Sequence, residues 1–121
     1  MRYSENGFWV QPVENNRYRI GLSAKGQDDL GDISFFELVS TDTISTQEPF
    51  IAVEASKAVS DLVAPMDNGK ITAIHERLSE QPELLNSPEL EDNWIVEVSG
   101  DLEKAYLALN QTDGLCHQCQ Q

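Results

Sequence analysis

Basic residues are scarce in this 121-residue chain, which has 8 lysines and arginines against 21 aspartates and glutamates. The formal net charge of −13 leaves too little cationic surface to bind the phosphate backbone of DNA or RNA. Long apolar runs are missing too, since no stretch approaches the ~20 apolar residues that a membrane-spanning helix requires. These absences argue against nucleic acid and membrane partners.

The chain length suits one domain with its own core. We expect that domain over residues 1–110 and a disordered C-terminal tail over residues 111–121. The first six residues have one basic side chain and no apolar run, so they resemble neither a secretory signal nor a mitochondrial presequence. The sequence therefore predicts a cytoplasmic protein.

The only two cysteines, Cys116 and Cys119, form a C-x-x-C pair in the predicted tail. Two cysteines alone do not complete a zinc site, and no histidine follows the pair as in a haem-attachment site, so no metal site is predicted. A dithiol of this spacing can be redox-active in the cytosol. The sequence favours incidental thiols over that alternative.

Alternating apolar and polar residues predict a mainly β chain with short helices. A turn at residues 14–16 joins the first two strands, and Ser23 and Gly31 are the expected cap and stop of a helix over residues 24–30. A short helical segment is expected near residues 82–85. A terminal helix is expected after Asp101, and Asp101 is its predicted cap. The predicted strands cover residues 8–13, 17–22, 33–39, 50–55, 58–63, 70–74 and 94–98. Many short strands with regular turns indicate a sandwich or a barrel.

Lys57, one of only four lysines, lies between two predicted strands at the tip of a tight turn. Glu54 and Asp61 bracket it in the sequence and favour its charged form. A free lysine side chain is almost entirely protonated at neutral pH, which makes it a poor catalytic base or Schiff-base former. It suits an enzyme that recognises a lysine by its place on a rigid hairpin and acylates it.

Residues 54–61 resemble the lipoylation site of the glycine cleavage system H protein family. Further blocks resemble the family in the same order and at similar distances, at residues 31–38, 64–71, 81–86 and 93–95. The resemblance covers about residues 3–109 and implies a lipoyl/biotinyl-type hybrid barrel-sandwich with short flanking helices. It also implies a carrier with no catalytic activity of its own, bearing lipoic acid on Lys57 with Glu54 and Asp61 as the hairpin context.

The implied partners are a lipoate ligase or lipoyltransferase, glycine decarboxylase, aminomethyltransferase and dihydrolipoyl dehydrogenase. One departure stands out, because Gly7 and Phe8 replace the histidine and glutamate that commonly precede Trp9 in the family. That glutamate helps to line the cleft that shelters the loaded arm, and a phenyl ring cannot accept its hydrogen bond. We therefore expect Phe8 to weaken the aminomethyl role, and a glutamate there to restore protection.

A branch of H-like proteins in Gram-positive bacteria resembles this chain in residues 27–31 and in the Glu-Ala-Ser-Lys sequence of residues 54–57. Its members are associated with lipoate ligases and with sirtuin and macrodomain proteins that add and remove ADP-ribose. The resemblance implies Asp28 as the acceptor, whereas an ordinary solvated helix face would also explain Asp28 and Asp29. The main interpretation is this H-like carrier, and the alternative is the H protein of glycine cleavage.

Two remoter interpretations stay open on the sequence alone. A biotin carrier has a similar fold, but its lysine usually lies between two methionines, whereas Ser56 and Ala58 flank Lys57 here. The other is an unmodified interaction module. Trp9 and Trp94 are interpreted as core residues, and His75 as a structural or surface histidine.

Overall fold

The β-strands of the computed structural model, which describes residues 1–113, form two antiparallel sheets. The larger sheet has the strand order β1-β2-β3-β8-β7, and the smaller has the order β4-β5-β6. The strands are β1 Arg2–Tyr3, β2 Phe8–Val13, β3 Arg17–Leu22, β4 Ile33–Leu38, β5 Pro49–Ala55, β6 Val59–Val63, β7 Lys70–Ile74 and β8 Trp94–Ser99. The mainly β fold predicted from the alternation of apolar residues is confirmed.

The described chain also has three short α-helices and two 3-10 segments, and all but the last helix lie between strands. They are α1 Ala24–Leu30, α2 Leu90–Asn93 and α3 Glu103–Leu107, with 3-10 turns at Glu76–Ser79 and Pro82–Asn86. Ser23 caps α1 as predicted, since its side chain accepts a hydrogen bond from the Gly26 amide. None of the helices in residues 1–113 combines the length and the apolar character that crossing a membrane requires.

The predicted cap of the last helix by Asp101 is wrong. Leu102 occupies the N-cap position of α3, and no side chain bonds to the helix there. Leu102 is 3% exposed and belongs to the hydrophobic core, so its burial sets where α3 begins. Tyr106 and Leu109 pack against the same core, as the apolar spacing of this segment predicts.

The two tryptophans have different environments. Trp9 is a core residue as predicted, with its indole Nε1 donating to Asn93 Oδ1 at 2.8 Å. Trp94 is only half-buried, and its ring stacks on that of His75 with centroids 4.6 Å apart. The guanidinium of Arg19 lies 4.9 Å from the Trp94 ring centroid. Trp94 is therefore part of a surface stack, and His75 is structural.

Phe8 joins the two sheets within the core. Its side chain has no exposed surface and meets the ring of Phe50 edge-on, with centroids 5.5 Å apart. Phe8 lies on β2 of the larger sheet and Phe50 on β5 of the smaller one. The resemblance implied that this position belongs to a cleft, whereas the structure places Phe8 in the core, where packing between the sheets determines this residue.

Replacing Phe8 with glutamate is expected to destabilise the fold and not to improve a cleft. The change buries a carboxylate among apolar side chains and should lower the free energy of unfolding by about 3 kcal/mol or more. Burial would raise the pKa of that carboxyl in the folded state, so the loss should shrink as the pH falls. Urea unfolding of Phe8→Glu and of the apolar control Phe8→Leu, at neutral and mildly acidic pH, tests this. Equal stabilities of the two variants at neutral pH would contradict it.

Candidate functional site

The lysine hairpin predicted from the sequence is present in the structure. Strands β5 and β6 pair with Glu54 opposite Val59, and the Ala55 amide donates to the Ala58 carbonyl at 2.8 Å. This bond closes a tight turn that exposes Lys57. Lys57 therefore lies at the end of a two-stranded support whose register fixes its position.

The hairpin tip is bound to the junction between α1 and β4. The amides of Ser56 and Lys57 donate to the carbonyls of Asp32 and Leu30, each at 2.9 Å. In return the Asp32 amide donates to the Ser56 hydroxyl at 2.9 Å. These three bonds hold the chain at Ser56 and at Lys57 itself, so the tip is a docked turn and not a free loop.

Gly31 makes this docking possible. It ends α1 with a φ of +81°, and a side chain there would collide with Ser56 Oγ and lie 3.1 Å from Lys57 Cγ. Both the backbone conformation and the close approach of the hairpin therefore require glycine. Sequence reasoning identified Gly31 as a helix stop and as part of blocks that resemble the family, but it did not predict this contact with the hairpin.

Asn86 holds the same junction from the opposite side. Its Nδ2 donates to the Gly31 carbonyl at 2.9 Å, and its Oδ1 accepts from the Ile33 amide at 2.8 Å. Gln27 on α1 also reaches this segment, donating to the carbonyls of Leu85 and Ser87. Asn86 was visible in the sequence only as part of a block that resembles the family. Its positioning role was missed because the contact spans 55 residues.

The ammonium of Lys57 is held by the main chain. Its Nζ donates to the Asp28 carbonyl at 2.8 Å, in the last turn of α1. A cation is favoured there because the helix dipole leaves partial negative charge at the carboxyl end. Within residues 1–113 neither Glu54 nor Asp61 forms an ion pair with Lys57. The effect of Glu54 and Asp61 on the charge of Lys57, predicted from the sequence, is therefore not exerted through a direct ion pair.

Glu54 and Asp61 instead lie on the outer face of the small sheet. Glu54 is paired between Phe35 on β4 and Val59 on β6, and Asp61 belongs to the neighbouring cross-strand row. Phe35 is 44% exposed and Val59 is 79% exposed, so two apolar side chains flank an exposed carboxylate beside the hairpin tip. This outer face (Phe35, Glu54, Val59 and Asp61) offers a mixed apolar and acidic surface next to Lys57.

The two acids of α1 have different environments. Asp29 Oδ2 lies 2.8 Å from the ammonium of Lys25, and this hydrogen bond raises the pKa of Lys25. Asp28 is exposed, and its carboxylate has no hydrogen-bond or ion-pair partner among the described residues. Only the Asp28 main chain contacts Lys57. Of the two acids, Asp28 is the free carboxylate.

The chain packs beyond the predicted domain boundary at residue 110. Asp113 is 5% exposed, and its Oδ2 accepts from the Lys25 amide at 3.1 Å, at the start of α1. The Ser23 hydroxyl lies 3.5 Å from Asp113 Oδ1. The C-x-x-C pair of Cys116 and Cys119 lies outside the described residues.

Lys57 fits covalent attachment of an acyl group. Its Nζ is exposed, and its only hydrogen-bond partner in the described chain is a carbonyl oxygen, which can also accept from an amide N–H. The other lysines lie in regular elements, with Lys25 on α1, Lys70 on β7 and Lys104 on α3. Among the four lysines, Lys57 alone lies at a docked hairpin tip.

Comparison with known proteins gives a consistent result. A family model described as "Glycine cleavage H-protein" matches residues 1–120. Curated relatives named "Glycine cleavage system H protein", from Bacillus cereus (strain AH820) and Bacillus anthracis (strain A0248), are each 46% identical over 99 residues. These matches cover 81% of this chain and 76% of each relative. The crystal structure of a glycine cleavage system H protein from Mycobacterium marinum matches with a TM-score of 0.68 and 26% identity, covering 82% of each chain.

Replacing Gly31 with alanine is expected to release the hairpin tip while the sheets remain folded. The added methyl group would collide with Ser56 and force the tip away from α1. Amide hydrogen exchange at Ser56 and Lys57 should then accelerate by more than tenfold, since their bonds to Asp32 and Leu30 are lost. Gly100→Ala is the matched control, because Gly100 also has a positive φ but no neighbour closer than 3.5 Å to an added side chain. Unchanged exchange at Lys57 in Gly31→Ala would contradict the docking role.

Proposed function

Because this chain belongs to the glycine cleavage H-protein family, whose members carry lipoic acid on a lysine, we propose that Lys57 carries the lipoyl group. The observation that carries the proposal is the docked hairpin, which presents an exposed lysine from a fixed backbone. The family has the hybrid barrel-sandwich fold of lipoyl domains, and the two-sheet structure agrees with it. A biotin carrier or an unmodified module has no comparable support.

The family relatives favour the glycine cleavage role over the specialised H-like branch, which was the main interpretation from the sequence. The partners are therefore the glycine cleavage enzymes, and we infer that they are glycine decarboxylase, aminomethyltransferase and dihydrolipoyl dehydrogenase. We infer further that the carrier has no catalytic activity of its own. The cytoplasmic location stays a prediction.

The bound cofactor would supply the sulfur chemistry, and this protein supplies a fixed attachment point for the cofactor. The bonds at Ser56, Lys57 and Asp32 keep the attachment point fixed as partners change. Acylation converts the ammonium of Lys57 into a neutral amide, which weakens its attraction to the carboxyl end of α1. Lipoylation would therefore weaken the contact between the Lys57 side chain and α1, while the backbone of the hairpin tip stays docked.

The outer face of the small sheet suits enzymes that must reach Lys57. Its exposed apolar pair, Phe35 and Val59, can be covered by a partner, and Glu54 and Asp61 favour a partner with basic residues. The net charge of −13 adds long-range attraction to such a surface. We propose that the ligase or transferase that attaches lipoic acid contacts this face.

Lys57→Arg is expected to abolish lipoylation and leave the fold intact. Arginine keeps the positive charge and can still donate to the Asp28 carbonyl, but its guanidinium does not form the amide. Incubation with a lipoate ligase, lipoate and ATP, followed by intact-mass measurement and peptide mapping, checks the result. Lys25→Arg, Lys70→Arg and Lys104→Arg are matched controls that should be labelled as fully as the parent. Labelling of Lys57→Arg would place the site elsewhere.

A second function, reversible ADP-ribosylation at Asp28 by a sirtuin-type transferase with removal by a macrodomain protein, is favoured by one observation. The carboxylate of Asp28 is exposed and has no partner among residues 1–113, and the main-chain carbonyl of Asp28 accepts from the Lys57 ammonium. Acylation of Lys57 would therefore alter the hydrogen bond that the Asp28 carbonyl accepts. This arrangement provides a physical route by which lipoylation could be sensed at the acceptor.

Asp28→Asn is expected to prevent this modification, because the amide cannot form the ester. Asp29→Asn is the matched control. Because the Asp29 carboxylate forms an ion pair with Lys25, this variant should still be modified at Asp28. Lipoylated and unlipoylated proteins are incubated with the transferase and NAD, and the added mass is measured. Modification that survives in Asp28→Asn, or that is equal on the unlipoylated protein, would exclude this function.

A further inference from the structure

The smaller sheet has an edge that leads directly to Lys57. Its strand order is β4-β5-β6, so β6 pairs with β5 on one side only. Val59, the first residue of β6, follows Lys57 by two positions, and its side chain is 79% exposed. At the other edge, Asn86 Oδ1 accepts from the Ile33 amide at the start of β4 at 2.8 Å. Of the two edges of this sheet, β6 is therefore the one that adjoins the lysine.

The register of the hairpin shows which main-chain groups of β6 point away from β5. The Ala55 amide donates to the Ala58 carbonyl at 2.8 Å, and antiparallel pairs alternate between bonded and non-bonded. This alternation places Ser60 in the next bonded pair along β6. Val59 and Asp61 occupy the non-bonded positions on either side of it. Their amides and carbonyls therefore face the open side of the strand.

These outward groups are unused in the described chain. Outside the pairing of β5 with β6, none of the hydrogen bonds among residues 1–113 involves the main chain of Val59 or Asp61. The edge is closed at its far end, where Asn6 Nδ2 donates to the Val63 carbonyl at 3.0 Å. The open part offers two amides and two carbonyls beside Lys57. Such a row of unpaired groups is a template for an added strand.

We propose that the enzyme that attaches the lipoyl group to Lys57 docks by adding an extended segment to β6 at Val59 and Asp61. This inference rests on the proposed lipoylation of Lys57 and specifies how the ligase or transferase binds. Strand addition gives affinity through main-chain hydrogen bonds and specificity through alternate side chains. Because β6 begins two residues after Lys57, the added strand runs directly to the lysine that is acylated.

The side chains of β6 define the chemistry of the added segment. Cross-strand neighbours favour apolar residues opposite apolar ones and opposite charges facing each other. Val59 and Asp61 are two positions apart, so the segment carries an apolar residue and a basic residue with the same spacing. The net charge of −13 favours such a basic partner. A second copy of this chain is a poor occupant, because both molecules carry that charge and repel each other.

Residue-resolved amide exchange tests the docking mode on the full-length unlipoylated protein. Exchange is measured alone and with saturating lipoate ligase that holds a non-transferable analogue of lipoyl adenylate. In the free protein, the amides of Val59 and Asp61 should exchange at least about tenfold faster than that of Ser60, which is bonded to β5. The ligase should slow both outward amides by about tenfold or more. Unchanged exchange at Val59 and Asp61 in the saturated complex overturns the proposal.

Two variants separate the main-chain bond from the charge of Asp61. Asp61→Pro removes the outward amide at an edge position that tolerates proline, whereas Asp61→Asn keeps the amide and removes the charge. Asp61→Pro should raise the KM of the ligase for this protein by about tenfold with little change in kcat, also at high salt. Asp61→Asn should cause a smaller loss, and its difference from the parent should shrink at high salt. Equal kcat/KM values for the two variants overturn the proposal.

Further readouts distinguish the possible failures. Slow exchange at Ser60 in Asp61→Pro shows that β5 and β6 still pair. If that variant does not fold, amide exchange in the parent decides alone. A parent that gains the lipoyl mass on Lys57 without protection of the β6 edge overturns strand addition and leaves the carrier function standing. A parent that gains no lipoyl mass on Lys57 refutes the carrier function, and the docking proposal falls with it.

Discussion

The contact between the lysine hairpin and Gly31 is the constraint on which the site depends. The end of α1 and the turn of the hairpin approach so closely that a side chain at Gly31 would collide with the Ser56 hydroxyl. Three hydrogen bonds across the contact satisfy backbone groups that would otherwise face each other unpaired. Asn86 fixes the Gly31 carbonyl from the other side. The position of the Lys57 backbone is therefore determined by backbone geometry, and its side chain stays exposed.

Helix α1 organises charge around this contact although it has only seven residues. Its first amides are met by Ser23 and by the buried carboxylate of Asp113, so negative groups lie at its amino end. Its carboxyl end holds the ammonium of Lys57. Both ends thus follow the polarity of the helix dipole. In a chain of net charge −13, this local arrangement explains how the Lys57 ammonium is held without a carboxylate partner among the described residues.

The elements that sequence reasoning predicted well are those governed by local patterns. The alternation of residues 17–22, the cap at Ser23 and the hairpin around Lys57 all depend on neighbours in the chain, and the structure has them at the expected places. The missed features depend on distant contacts. Asn86 reaches Gly31 across 55 residues, and burial of Leu102 in the core overrides the local capping preference of Asp101. No local pattern contains that information.

Phe8 shows how a departure from a family pattern can be misread from the sequence. Its position beside Trp9 suggested a lost polar contact in a cleft, and that suggestion supplied the main argument against the glycine cleavage role. The structure places the ring against Phe50 between the two sheets, with no exposed surface. A residue that faces the core reports on how the sheets pack, and carries no information about which group the arm transports. The argument against glycine cleavage therefore loses its physical basis, in agreement with the relatives that this chain matches.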